Sequence, residues 1–348
     1  MSNRIVAAAT FLAVGVHGYY PGNMTSTLNR FAFGSCNDQS KHQMLWPVIT
    51  AKDPQLWLWL GDNIYGDIRI WDTSTPSKGV FRPAPPDVLA AKYQQQLGHP
   101  DYKLFRERFP IIGIWDDHDY GCINDGDKTY RYRQESQQLF LDFLDEPQSS
   151  PRRLQEGIYT SYVVGSGAKR VKFILLDNRG DVHFAEINQV RCGDSFHVTE
   201  ISSSGMTHAW KLMNRIVGPG FTLANMILPW HFRARPREYY ASFNFGDVVL
   251  DWTASPPTAT ASVYGKDGLV KLRQVVPAER YTGDAPAACG PIHHVSPASF
   301  FLLQVAVSIV LVAFVASILV NAVVVVVVPL QLLWRLVGFV RAPKFKRD

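Results

Sequence analysis

Leu56-Trp57-Leu58-Trp59-Leu60-Gly61-Asp62-Asn63-Ile64-Tyr65-Gly66-Asp67 sets an unbroken apolar run directly against carboxylates and a phenol. Five apolar residues in a row, two of them aromatic, read as a strand buried on both faces. The pattern recurs three times. Phe31-Ala32-Phe33 runs into Gly34-Ser35-Cys36-Asn37, and Ile111-Ile112-Gly113-Ile114-Trp115 runs into Asp116-Asp117-His118-Asp119. Val171-Lys172-Phe173-Ile174-Leu175-Leu176 runs into Asp177-Asn178-Arg179-Gly180-Asp181-Val182-His183. Helical-looking stretches at 39–50, 87–98 and 129–144 separate some of these runs. Strands alternating with helices imply a layered α/β domain. Such sheets bind ligands at the carboxyl ends of their strands, where all four clusters fall, so the clusters are expected to converge.

The chemistry of the clusters narrows their use. Carboxylates, imidazole, a phenol and one thiol are a mixed set of metal ligands. Several carboxylates brought together repel one another unless cations offset them. Two cations a few ångströms apart suit phosphoryl transfer, so the clusters point to hydrolysis of a phosphate ester by metal-activated water. One Asp-Asp-His-Asp by itself is more often a polar turn; four clusters at matching strand ends are not explained that way.

The 348 residues suffice for one large domain or two small ones, and with 47% hydrophobic and 19% charged residues the chain is globular. Its net charge of +5 forms no Lys/Arg stripe with interleaved aromatics, so no nucleic-acid partner is expected. Cys36, Cys122, Cys192 and Cys289 are too scattered for a disulfide scaffold. Trp57, Trp59 and Trp115 read as core packing.

The ends carry topology. Residues 1–18 have a polar, positive start, an apolar stretch at 5–16 and then Val16-His17-Gly18, the layout of a cleaved signal peptide; a buried first strand or helix is the other reading. Residues 299–328 contain no charge and end in six consecutive valines, longer than the ~20 apolar residues a spanning helix needs. Arg335, Arg341, Lys344, Lys346 and Arg347 follow, a basic tail that the positive-inside rule places in the cytosol. Together the ends predict a single-pass membrane protein whose main domain faces a lumen or the exterior. The expected divisions are the signal at 1–18, the domain at 25–276, a Pro/Gly/Ala-rich linker at 277–298, the span at 299–328 and the tail at 329–348. Near the linker, Ala261-Ser262-Val263-Tyr264, the turn Gly265-Lys266-Asp267-Gly268, and Leu269-Val270-Lys271-Leu272 read as a hairpin, preceded by strands at 239–245 and 248–252.

The ordered motifs Gly34-Ser35-Cys36-Asn37, Gly61-Asp62-Asn63-Ile64-Tyr65-Gly66-Asp67, Trp115-Asp116-Asp117-His118-Asp119-Tyr120-Gly121, Leu176-Asp177-Asn178-Arg179 and Gly180-Asp181-Val182-His183 closely resemble the PhoD-like (alkaline phosphatase D) family of calcineurin-like metallophosphatases. Ile201-Ser202-Ser203-Ser204-Gly205-Met206-Thr207-His208 and Asn244-Phe245-Gly246-Asp247 extend the likeness across 31–276. The resemblance implies a β-sandwich flanked by helices and a phosphatase or phosphodiesterase activity. By the same resemblance Cys36 is a thiolate ligand of iron, Asp62 a bridging carboxylate, Tyr65 a tyrosinate, and Asp117, Asp181 and His183 further ligands. His118 contacts the phosphate or protonates the leaving group, and the metals are iron with calcium or another divalent cation. From the residues alone Cys36 also reads as a buried thiol or disulfide partner, Tyr65 as a strand-end aromatic and His183 as a core histidine.

One departure stands out. The family separates its Leu-Asp-x-Arg and Gly-Asp-Val-His elements by a long segment, whereas here Gly180 follows Arg179 directly. The junction reads as an exon skip or a mispredicted gene. One strand would then serve two places in the sheet, leaving apolar surface and unpaired edges. A second reading is therefore a catalytically impaired variant acting as a non-catalytic membrane protein.

Overall fold

The computed structural model describes residues 25–71, 79–121, 130–177, 183–192, 196–209, 239–278, 289–291, 297–331 and 333–334. The chain divides into two units, 1–217 with 233–290 and 218–232 with 291–348.

In the first unit Arg30–Gly34 (β1), Trp57–Leu60 (β2) and Ile111–Ile114 (β5) are neighbouring parallel strands, in the order β1-β2-β5, while Ile68–Trp71 (β3) and Gly79–Arg82 (β4) form a separate antiparallel pair. Asn244–Asp251 (β11), Thr258–Gly265 (β12) and Val270–Pro277 (β13) continue the sheet antiparallel on the other side of β1. The apolar runs are continuous because both faces of this sheet are covered. Ala32, Trp57, Trp59 and Ile111 point to the layer formed by Trp46–Thr50 (α1), Pro86–Leu97 (α2), Pro100–Arg108 (α3) and Arg133–Phe143 (α5). Phe33, Leu58, Ile112 and Val248 point the other way, onto Tyr162, Val164, Phe173 and Leu175. Trp57 and Trp59 are fully buried, edge to face at 5.3 Å and both against Trp46.

The fourth apolar run does not join the parallel set. Lys169–Leu175 (β7) pairs antiparallel with Thr160–Ser166 (β6) in a two-stranded sheet of its own. Its alternation explains this: Phe173 and Leu175 are buried, while Lys172 and Ile174 face out. A strand buried on one face suits a covering layer and not the centre of a sheet. The exposed face keeps Val163, Ile174 and Leu176 at 41%, 64% and 64% exposure, an apolar surface left uncovered among the described residues. Ala185–Cys192 (β8) and Phe196–Ser203 (β9) form another antiparallel pair, and Ala185 and Ile187 pack on Val263 and Leu272.

Several boundaries differ from expectation. The first helix covers only Trp46–Thr50, with Pro47 in its first turn; Ser40 N–H and hydroxyl bond Asp38 at 2.9 and 2.6 Å and hold a turn instead. The third begins at Arg133. Helix α3 was not anticipated. Tyr239–Tyr240 (β10) is only two residues long, and β11 is unbroken from Asn244. The hairpin of β12 and β13 turns at residues 266–268. Residues 1–18, the Arg179/Gly180 junction and Asp181 lie outside the described residues.

In the second unit, helix α6 (Pro297–Ala322) passes into a π-helical turn at Val323–Val327. The stretch Phe301–Gln331 is long and apolar enough to cross a membrane.

Candidate metal centre

Strand ends β1, β2 and β5 are stitched into one surface by their loops. Cys36 and Asn37 amides donate to the carbonyls of Gly61 and Asp62 at 3.4 and 2.8 Å, and Gly66 N–H donates to His118 carbonyl at 3.1 Å. Gly61 has φ +107°, and a Cβ there would lie 2.7 Å from Asp116 Cβ, so only glycine lets the two loops approach this closely. Asp62 and Cys36 also hold left-handed backbone, φ +47° and +61°. Non-glycine residues in this region are strained, and such strain persists where surrounding structure over-determines it.

After β5, Asp116 caps the single turn Asp117–Tyr120 (α4), and its carboxylate and that of Asp119 form a reciprocal capping box. The turn places Asp117 and His118 over Asp62. One ligand atom from each of Asp62, Asp117 and His118 lies within 4.8 Å of the others, a spacing that fits one cation. His118 Nδ1 lies 2.9 Å from Asp67 Oδ1, a carboxylate–histidine pairing of the kind that orients metal-site imidazoles. Burial pushes the His118 pKa down, but the hydrogen bond to Asp67 and the charges of Asp67, Asp117 and Asp119 outweigh it and raise it above the ordinary value.

The other expected residues sit as follows. Tyr65 lies against His118 with ring centroids 3.9 Å apart and planes tilted by 33°. Tyr65 also stacks on His208, at 4.6 Å, and His208 in turn lies 5.6 Å from His183. His118, Tyr65, His208 and His183 therefore form a continuous series of rings. Cys36 is buried with its thiol 2.7 Å from Ser204 Oγ, and it is not part of the Asp62/Asp117/His118 group. Asp177, the first polar residue of the fourth cluster, accepts a hydrogen bond from Trp115 Nε1 at 2.6 Å.

His208, Asp67 and Asp119 received no role from the sequence. His208 reaches the site because residues 204–208 pair along residues 35–38. Ser35 and Ser204 form a bridge, Met206 and Thr207 amides donate to Ser35 and Cys36 carbonyls at 3.1 Å, and Asp38 N–H donates to Thr207 Oγ1 at 2.6 Å. Burial and the Lys41 ammonium push the His208 pKa down to about 4, against the pull of Asp38. Burial also lifts Asp119 to about 7, against the amides that donate to it. The signal for Asp67 and His208 was their place inside the quoted motifs; nothing in spacing foretold their contacts.

No protein-family model matches the chain, and no curated protein matches it. A solved structure described as "Structure of PhoD" is similar to it with a TM-score of 0.45 and 12% sequence identity, covering 83% of this chain and 78% of that one. A likeness of that degree assigns no chemistry to any residue.

Proposed function

We propose that the protein is a metal-dependent phosphoric ester hydrolase of calcineurin-like, PhoD-like architecture, held to a membrane by its C-terminal helix. The observation that carries this reading is the meeting of Asp62, Asp117 and His118 at the ends of adjacent parallel strands. The two carboxylates suit a hard divalent cation, and His118 stands beside them within reach of the same site. Iron with calcium or another divalent cation is the proposed pair, with Cys36, whose thiol lies 2.7 Å from Ser204 Oγ, as a ligand of iron.

In this reading Asp62 and Asp117 hold the ion, and Tyr65, Asp181 and His183 remain proposed ligands of a second one, with Cys36. Bound metal would supply Lewis acidity and lower the pKa of a coordinated water. Asp67 keeps His118 protonated at Nδ1 and favours the imidazolium, so His118 is suited to place a proton on the leaving oxygen. The ring of Tyr65 packs against His118 and fixes its plane. The substrate is a phosphate ester. Residues 1–18 are proposed as a signal, 25–276 as the domain in the lumen or exterior, 277–298 as a linker, 299–328 as the span and 329–348 as a cytosolic tail.

A test is hydrolysis of an aryl phosphate by the full chain in detergent, assayed with a panel of divalent cations and iron. Turnover that Asp62→Asn abolishes supports the reading; no turnover with any metal sinks it. The exposed apolar face of the β6–β7 sheet favours a second reading, a non-catalytic variant of the same architecture. Absence of turnover together with absence of bound metal after purification would select that one.

A further inference from the structure

Among the described residues, Lys92, Arg69 and Lys41 bring cations to the neighbourhood of the ring series, and they are used differently. Lys92 turns its ammonium to the carbonyl oxygens of Tyr65, at 2.9 Å, and Asp67. Arg69 lies over the ring of Phe81, 5.5 Å from its centroid. Lys41 instead meets an imidazole: its ammonium contacts His208 Nε2 and lies 3.6 Å from Asp38 Oδ2. An ammonium has three donors and no acceptor. With Lys41 donating to Nε2, the His208 proton sits on Nδ1, 3.3 Å from Thr207 Oγ1. Asp38 is itself fixed by Ser40, and Thr207 by the carbonyl of Cys36 at 3.2 Å. The lysine is thus held at two points while its side chain stays 40% exposed, leaving one N–H for a ligand.

We infer that Lys41, positioned by His208 and Asp38, is an anion clamp for the phosphoryl group and makes the centre prefer phosphate monoesters to diesters. The inference rests on the hydrolase reading above for its substrate, but not for its geometry. His208 is stacked on Tyr65 at 4.6 Å and Tyr65 lies against His118 at 3.9 Å, centroid to centroid, so the clamp is joined to the carboxylate group through the ring of Tyr65. Asp62, Asp67 and Asp117 already crowd that group with negative charge. A monoester brings about two charges at neutral pH and a diester one, so a cation outside the metal site acts mainly on the monoester. Lys41 is a binding residue; His208 and Asp38 act through it.

The test compares the full chain in detergent with Lys41→Met and Lys41→Arg. Two readouts are needed: kcat/KM for an aryl phosphate monoester and for a bis-aryl diester, and binding of inorganic phosphate to chelator-treated protein by calorimetry. Lys41→Met should lower the monoester kcat/KM about tenfold or more, the size of a lost charge-assisted hydrogen bond, and the diester value less than about threefold. It should weaken phosphate binding by a similar factor, and Lys41→Arg should restore most of both. Equal losses on the two esters, or phosphate binding unchanged by Lys41→Met, overturns the clamp. If the wild-type chain hydrolyses neither ester yet Lys41→Met still weakens phosphate binding, the hydrolase reading falls and the clamp stands.

Discussion

Asp119 Oδ2 accepts two hydrogen bonds from the single residue Asn63, one from its amide N–H at 3.0 Å and one from its side chain at 3.1 Å. The other carboxylate oxygen accepts the Ile64 N–H at 3.0 Å, and Asp116 N–H adds a fourth bond at 3.1 Å. One buried carboxylate therefore ties the loop carrying Asp62 to the turn carrying Asp117 and His118. Asp119→Asn keeps the volume but puts an amide N–H₂ where backbone donors converge. The substitution should cost about 1–3 kcal/mol for the unsatisfied donors, read by denaturant unfolding. It should also weaken divalent-cation binding by calorimetry, although Asp119 is not itself in the ligand group. Unchanged binding would refute the positioning role.

A second prediction concerns Asp67. Asp67→Asn removes the charge that lifts His118, so the His118 pKa in metal-free protein should fall, as followed by ring-proton NMR shifts. The sign for stability follows from the raised folded value. The Asp67–His118 pair stabilises the wild type fully below the unfolded histidine pKa, and this contribution fades as pH rises through the folded one. Asp67→Asn should therefore narrow its stability gap from wild type as pH rises from acidic to mildly alkaline.

Asp247 offers a pH test away from the centre. It is fully buried on β11, 3.2 Å from Arg30 Nε, and burial lifts its carboxyl to about 6 despite Arg30 and Lys52. The folded chain then holds this proton where the unfolded chain has lost it. Stability is present below the unfolded pKa and declines as pH rises from about 4 to about 6, by at most about 3 kcal/mol. Asp247→Asn should flatten that decline in denaturant unfolding over the same range; an identical slope would refute it.

Gly113 on β5 faces Trp59 on β2, and a Cβ there would lie 2.6 Å from Trp59 Cβ and 3.1 Å from its carbonyl oxygen. Those atoms cannot swing aside as a flexible side chain would. Gly113→Ala should destabilise by about 1–3 kcal/mol in thermal or denaturant unfolding. Because β2 and β5 carry Asp62 and Asp117, it should also reduce turnover.

Much of this was legible in the sequence for a physical reason. The runs at 31–33, 56–60 and 111–115 are apolar at every position because β1, β2 and β5 are covered on both faces, and Gly34, Gly61 and Asp116 mark where apolar side chains give way to buried polar ones. The run at 171–176 misled because Lys172 breaks it only once; its outward face is apolar at Ile174 without being covered. Helix α3 went unread because residues 100–108 carry five charges, Asp101, Lys103, Arg106, Glu107 and Arg108, and bury only Tyr102 and Phe105. His208 went unassigned because its position depends on backbone pairing between residues some 170 apart, which no local pattern encodes.

The place of β1 between β2 and β11 has a consequence for biosynthesis. As the chain leaves the ribosome, β1 can pair at once with β2 but must wait for residues 244–251 before its other edge is covered. Until then Phe31 and Phe33 flank an unpaired edge, and the segment bearing His208 has no finished β1–β11 floor to settle on. Long-range pairing of this kind is slow and exposes aggregation-prone edges. A nascent chain paused before residue 244 would therefore depend on chaperones, and assembly of the centre would be among the last events of folding.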